Sequence, residues 1–177
     1  LTAEEILIRS GNIGSVRIGQ KLGLEKFIEY MNKFDLMNQM NFDIEEMGVP
    51  LKLRWGKCKL ATASFGHGIT TTPIQLAKAY SIVSNGGYEI HPTLIKKDKN
   101  EIKKRILDQE VSFKINNILR KIVTTKEGTA SLANVNGYEV GGKTGTAQKI
   151  INGNYSNKKI NTFASIFPIS NPKFTLV

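Results

Sequence analysis

Apolar residues recur at helical spacing in three parts of the chain and alternate with polar ones in others, which divides it into helices followed by strands. Leu24, Phe27, Ile28 and Met31 form one helical stripe. Leu76, Tyr80 and Val83 form a second, and Val111, Ile115, Ile118, Leu119, Ile122 and Val123 a third and longer one. Start and stop signals set the boundaries. Thr2-Ala3-Glu4-Glu5 is a capping box and predicts a short helix to Arg9. Ser10-Gly11-Asn12 interrupts it, and a second helix is expected from Ile13 to Gly23. Thr72-Pro73-Ile74-Gln75 opens a helix that Gly86-Gly87 ends, and Asp108 is placed to cap the long one.

Between these helices the periodicity changes. Residues 35–59 lose it and read as a loop, with Met37, Met40 and Met47 as gap fillers or mobile surface. Residues 89–96 and 103–107 read as two strands around a basic turn near Asn100. A short helical turn is expected after Gly128, then a strand carrying Lys143 and a hairpin turn at Asn152-Gly153. Strands near 161–168 and from Lys173 onward complete an antiparallel meander. Helices first and strands last predict an α+β fold, with helices packed on an antiparallel sheet.

Composition narrows the class. The 177 residues are 40% hydrophobic and 23% charged, ordinary values for one packed domain. No apolar run is long enough for a membrane span, and no signal peptide is visible. The chain starts at Leu1 and stops within Phe174-Thr175-Leu176-Val177, which reads as a strand cut short. The expectation is therefore one domain, residues 1–177, truncated at both ends. The net charge is +10, spread along the chain, with its densest run from Lys96 to Arg105. No aromatics interleave with that run, so it reads as a solvated hairpin tip and not a nucleic-acid surface. A basic surface suits an anionic polymer or an anionic membrane face equally well. The lone Cys58 excludes an internal disulfide and a thiolate metal cluster, and no metal or cofactor is expected.

Two stretches carry candidate chemistry. Val140-Gly141-Gly142-Lys143-Thr144-Gly145-Thr146 sets one lysine and two hydroxyls among residues with almost no side chain, where a substrate can approach closely. Ser10 and Asn12 place a hydroxyl and a carboxamide two residues apart at a helix end. Each has an ordinary reading alone, as bulge glycines and as a helix cap. Together, in this order, they carry more. Strict alternation would put Lys143 and Thr144 on opposite faces, so a shared site requires a cleft along the strand's open edge. His67, between Gly66 and Gly68, is expected to shape a loop and not to act as an acid or base.

With these residues in place, the chain resembles the transpeptidase domain of penicillin-binding proteins, serine acyltransferases that share a fold with class A β-lactamases. That superfamily uses a Ser-x-x-Lys nucleophile, a Ser-x-Asn loop and a Lys-Thr/Ser-Gly strand. Ser10-Gly11-Asn12 matches the second motif and Lys143-Thr144-Gly145 the third. Trp55-Gly56, Phe65-Gly66-His67-Gly68, Thr72-Pro73-Ile74-Gln75 and Asn85-Gly86-Gly87 resemble the class B enzymes, and the Arg54-Trp55-Gly56 and Phe65-Gly66-His67-Gly68 stretches are most similar to the septal, cell-division member. The resemblance implies catalytic roles for Ser10, Asn12 and Lys143, and substrate binding by Thr144, Gly145 and Thr146.

It further implies a peptidoglycan DD-transpeptidase that takes stem peptides as substrates and β-lactams as inhibitors. Divisome membrane proteins would be its partners, at the periplasmic face of the inner membrane. A β-lactamase or DD-carboxypeptidase on the same fold, or a non-catalytic penicillin-binding sensor module, are the competing readings. One departure matters. Ser156-Asn157-Lys158-Lys159 and Ser170-Asn171-Pro172-Lys173 fit the first motif by letter only, since the chemistry needs Ser and Lys one turn apart on a helix. The nucleophile is expected upstream of Leu1, the chain alone is expected to be inactive, and its open sheet edges are expected to favour self-association.

Overall fold

The computed structural model describes residues 1–52, 55–56, 58–96, 104–151 and 154–177. Among the described residues six helices come first: α1 (Ala3–Ile8), α2 (Asn12–Leu22), α3 (Leu24–Lys33), α4 (Lys59–Ala63), α5 (Pro73–Ser84) and α6 (Gln109–Thr124). A 3-10 turn at Ser131–Ala133 leads to β1 (Gly141–Ile151), β2 (Asn154–Phe167) and β3 (Phe174–Leu176). The strands form an antiparallel sheet in the order β1-β2-β3. The basic turn around Asn100, the Asn152-Gly153 turn and Arg54 lie outside the described residues.

Both capping boxes form. Thr2 and Glu5 exchange side-chain and backbone bonds at α1, and Thr72 and Gln75 do so at α5, with Pro73 in its first turn. Asp108 stands at the N-cap of α6 but makes no side-chain capping bond. The core gathers on α6, where Leu119, Ile122 and Val123 pack with Ile8 of α1, Ala130 and Ile166 of β2. Each of these buried Leu, Ile and Val side chains contributes roughly 1.5–3 kcal/mol. The stripe read from the sequence is thus the core face, except that Val111 at its start is exposed.

Three expectations are corrected. Two strands are expected over 89–96 and 103–107, but among the described residues of these segments there is no strand, and a lone bridge joins Tyr88 and Arg105. Pro92 can donate no ladder bond there, and the Arg105 guanidinium sits 4.5 Å over the Tyr88 ring instead. On α3, Phe27, Ile28 and Met31 are only half-buried and Leu24 is exposed, so the stripe borders the core and does not enter it. On α5 the most buried face is Gln75, Ala79 and Ile82; of the expected stripe Tyr80 packs against the core cluster, while Leu76 and Val83 are half-buried.

The reason lies in the preceding loop. Gln75 is 0% exposed, and its Nε2 donates to Asp35 O at 2.5 Å and Asn38 O at 2.7 Å. Its Oε1 accepts from the Thr72 backbone N–H at 3.0 Å, so the buried amide is satisfied. Lys78, also buried, pairs with Asp35. Residues 36–57 are otherwise irregular where described, as the sequence suggested, and Met40 fills the core while Met37 and Met47 are half-buried. No helix among the described residues is long and apolar enough to cross a membrane.

Candidate active site

Ser10 owes its position to the way α1 ends. Arg9 is the C-cap; the Ser10 N–H then donates to Leu7 O and the Gly11 N–H to Ile6 O at 2.9 Å. This is the Schellman pattern, whose left-handed residue is usually glycine. Ser10 fills it with φ +54°. A hydroxyl-bearing residue there is strained by about 1 kcal/mol or more, which singles the position out. Asn12 follows as the first residue of α2, exposed, with its carboxamide making no hydrogen bond among the described residues.

The opposite wall is β1. It lies at one end of the sheet order, so among the described residues its side away from β2 has no strand partner. Lys143 reaches across to hydrogen-bond the Ser10 hydroxyl and also donates to Thr144 O at 2.9 Å. An ammonium has three N–H groups, so one remains for the cleft. Burial pushes the Lys143 pKa down from its ordinary value. Thr144 points its hydroxyl to Thr129 Oγ1 at 2.8 Å. Gly145 and Thr146 continue the wall, exposed.

Ser10, Asn12, Lys143, Thr144, Gly145 and Thr146 all line one cleft of about 630 Å³. The alternation problem is thereby resolved: Lys143 and Thr144 both border a cleft that runs along the open edge. Its floor includes Ile6, Leu7, Ser15, Ser64, Phe65 and Thr129. The last of these has no signal at the sequence level beyond the preceding Gly128, because its partner is fifteen residues away. Phe65 lines the cleft, whereas His67 does not; their rings lie 5.2 Å apart. Ser156 and Lys159 lie in strand β2, and Ser170 and Lys173 in the turn before β3, so neither Ser-x-x-Lys pair is on a helix or at the cleft.

A hydroxyl bonded to a half-buried ammonium, facing a carboxamide and two further hydroxyls, is equipped to relay a proton and to hold an anionic, amide-bearing ligand. The chain belongs to the penicillin-binding protein transpeptidase domain family, whose model matches residues 1–177. Among its relatives, stage V sporulation protein D of Bacillus subtilis is 35% identical over 97% of this chain and 29% of that protein. Peptidoglycan D,D-transpeptidase FtsI of Buchnera aphidicola subsp. Baizongia pistaciae is 32% identical over 100% of this chain and 32% of that protein. The septal likeness read from the sequence agrees with that name.

Solved structures give the same fold. The transpeptidase domain of Burkholderia pseudomallei penicillin-binding protein 3 superimposes with a TM-score of 0.91 at 26% identity, over 99% of this chain and 54% of that one. Penicillin-binding protein 3 of Mycobacterium tuberculosis, complexed with aztreonam, gives 0.90 at 25% identity, over 98% and 44%. The chain thus spans 29–32% of the length of these two curated relatives.

Proposed function

We propose that this chain is the C-terminal part of the transpeptidase domain of a peptidoglycan D,D-transpeptidase of the septal type. It supplies one corner and the far wall of the acyl-transfer cleft. The observation that carries the reading is the hydrogen bond between Lys143 and Ser10, which joins the Ser-x-Asn loop to the Lys-Thr-Gly strand across a shared cleft. The serine nucleophile and its lysine partner come from polypeptide preceding Leu1, packed against this cleft.

In that enzyme each residue has a distinct task. Ser10 passes a proton between the catalytic amine and the leaving or attacking nitrogen. Its hydroxyl is held ready by Lys143, which also attracts the substrate carboxylate. Asn12 holds the amide of the acyl-donor stem peptide with its free carboxamide. Thr144 and Thr146 hydroxyls bind the terminal carboxylate of a D-Ala-D-Ala stem or of a β-lactam, and Gly145 leaves room for it. The Thr146 N–H donates to the developing oxyanion, a contribution typically of ~10²–10³ in rate. The intact protein works with membrane proteins of the division apparatus, at the outer face of the cytoplasmic membrane.

Fluorescent penicillin tests this directly. The full-length gene product is expected to become covalently labelled, and Lys143→Ala to weaken labelling strongly. The chain of residues 1–177 by itself is expected to stay unlabelled. Unchanged acylation of the Lys143→Ala protein would remove Lys143 from the site, and labelling of a serine within residues 1–177 would refute an upstream nucleophile.

A further inference from the structure

Among the hydroxyls that line the cleft, Thr129 has a partner unlike the others. Ser15 donates to Gly11 O at 3.1 Å and Ser64 to Leu60 O at 2.7 Å, so both are committed to their own helices. Thr129 Oγ1 instead meets the Thr144 hydroxyl at 2.8 Å, and neither hydroxyl makes another hydrogen bond among the described residues. Its placement is built in. A Cβ on Gly128 would lie 2.1 Å from Ile122 O, so only glycine lets the chain fold back so tightly over the end of α6. The Gly128 N–H donates to Thr125 O at 3.1 Å and the Ala130 N–H to Ile122 O at 3.2 Å, which fixes Thr129 between two anchored neighbours.

The pairing has a consequence for anion binding. A hydroxyl donates one proton, and a carboxylate only accepts. The 2.8 Å contact between Thr144 and Thr129 can carry a proton from either oxygen, and when Thr144 is the donor its proton is not available to a ligand. When Thr129 is the donor to Thr144 Oγ1, the Thr144 proton turns to the ligand. Chains of hydroxyls ordered in this way polarise one another, which strengthens the terminal bond.

We propose that Thr129 is a positioning residue for carboxylate recognition, the donor that frees the Thr144 hydroxyl for the substrate's terminal carboxylate. The proposal rests on the transpeptidase reading above. It makes Thr129 a determinant of specificity for acyl donors that end in a carboxylate over those that do not. Without Thr129 the Thr144 hydroxyl has no partner among the described residues to set its rotation. With Thr129 as donor, the Thr144 oxygen keeps a partner while its proton meets the anion.

Two thioester probes separate the possibilities in the full-length protein. One is an N-acyl-D-alanyl thioglycolate with a free carboxylate; the other is the same thioester with that group converted to a primary amide. Thr129→Val is expected to raise KM for the carboxylate probe about tenfold, because the Thr144 hydroxyl loses the partner that orients it. Its kcat, and both constants for the amide probe, should change less than twofold. Thr129→Ser, which keeps the hydroxyl, is expected to restore the carboxylate preference. Equal losses on both probes would assign Thr129 a structural role only, and no loss on either would overturn the proposal. Failure of the unmodified protein to turn over either probe would instead refute the transpeptidase reading, and this proposal with it.

Discussion

Gly142 and Gly145 stand three residues apart on the same strand and meet opposite surroundings. A Cβ on Gly142 would fall 2.6 Å from Phe163 Cζ and 2.7 Å from Ala164 O, inside the packed sheet. On Gly145 the nearest atom would be Thr162 Cβ at 3.9 Å. The first glycine is required by the protein's own neighbours. The second leaves space that no atom of the described residues fills, at the rim of the cleft. Gly141 belongs with the first, since Ile169 Cδ1 would lie 2.7 Å from its Cβ. One glycine-rich motif therefore contains a structural half and a ligand-facing half.

Substitutions should separate these halves. Gly142→Ala is expected to cost about 2 kcal/mol, because an inserted methyl meets backbone that cannot retreat. For a chain of this size that corresponds to a Tm lower by about 6 °C. A shift under about 1 °C would show that Phe163 and β2 yield, and the contrast would vanish. Ser10→Gly relieves the left-handed strain and should raise unfolding free energy by about 0.5–1 kcal/mol. In the full-length protein the same change should abolish most penicillin labelling. A variant that lost both stability and labelling would refute the claim that strain at Ser10 serves the site and not the fold.

A subtler test uses pH. Burial lowers the Lys143 pKa, so the folded state is penalised while that lysine is charged. The penalty is present below the lowered folded pKa and fades as pH rises from there to the unfolded value, where neither state is charged. The Tm of Lys143→Met minus that of the unmodified protein should therefore fall as pH rises through that window. A difference independent of pH would show that Lys143 carries no such penalty. The smallest effect on stability belongs to Gly145→Ala, within about 0.5 kcal/mol. Labelling of the full-length Gly145→Ala protein should nevertheless drop severalfold, and unchanged labelling would mean that ligands do not use that space.

The sequence was legible wherever the physics is local. Capping boxes at Thr2 and Thr72 involve partners three residues away, and both form as read. The α6 stripe and the meander are set by period and by turns. Legibility failed where a distant segment decides. Gln75 reads as a capping residue, yet its amide is fully buried because Asp35 and Asn38 present their carbonyls to it. Alternation in residues 89–96 resembles a strand, but a strand needs a ladder partner and Pro92 cannot supply its share. At the cleft, Ser10, Asn12 and Lys143–Thr146 were picked out as motifs, and the fold gathers them in one place. Thr129 could not be read, since only the fold brings it to Thr144.

Both walls of the cleft are referred to one helix. The α1 segment that ends in Ser10 is tied to α6 by the Glu4–Lys121 ion pair at 2.5 Å and by Ile8 in the core. The start of β1 is tied to the same helix by Arg120, which donates to Val140 O at 2.8 Å. Lys121 and Arg120 are adjacent residues. A displacement of α6 would carry both sides together and leave the spacing between Ser10 and Lys143 nearly constant. The gap is thus held the way two jaws are held by a common frame.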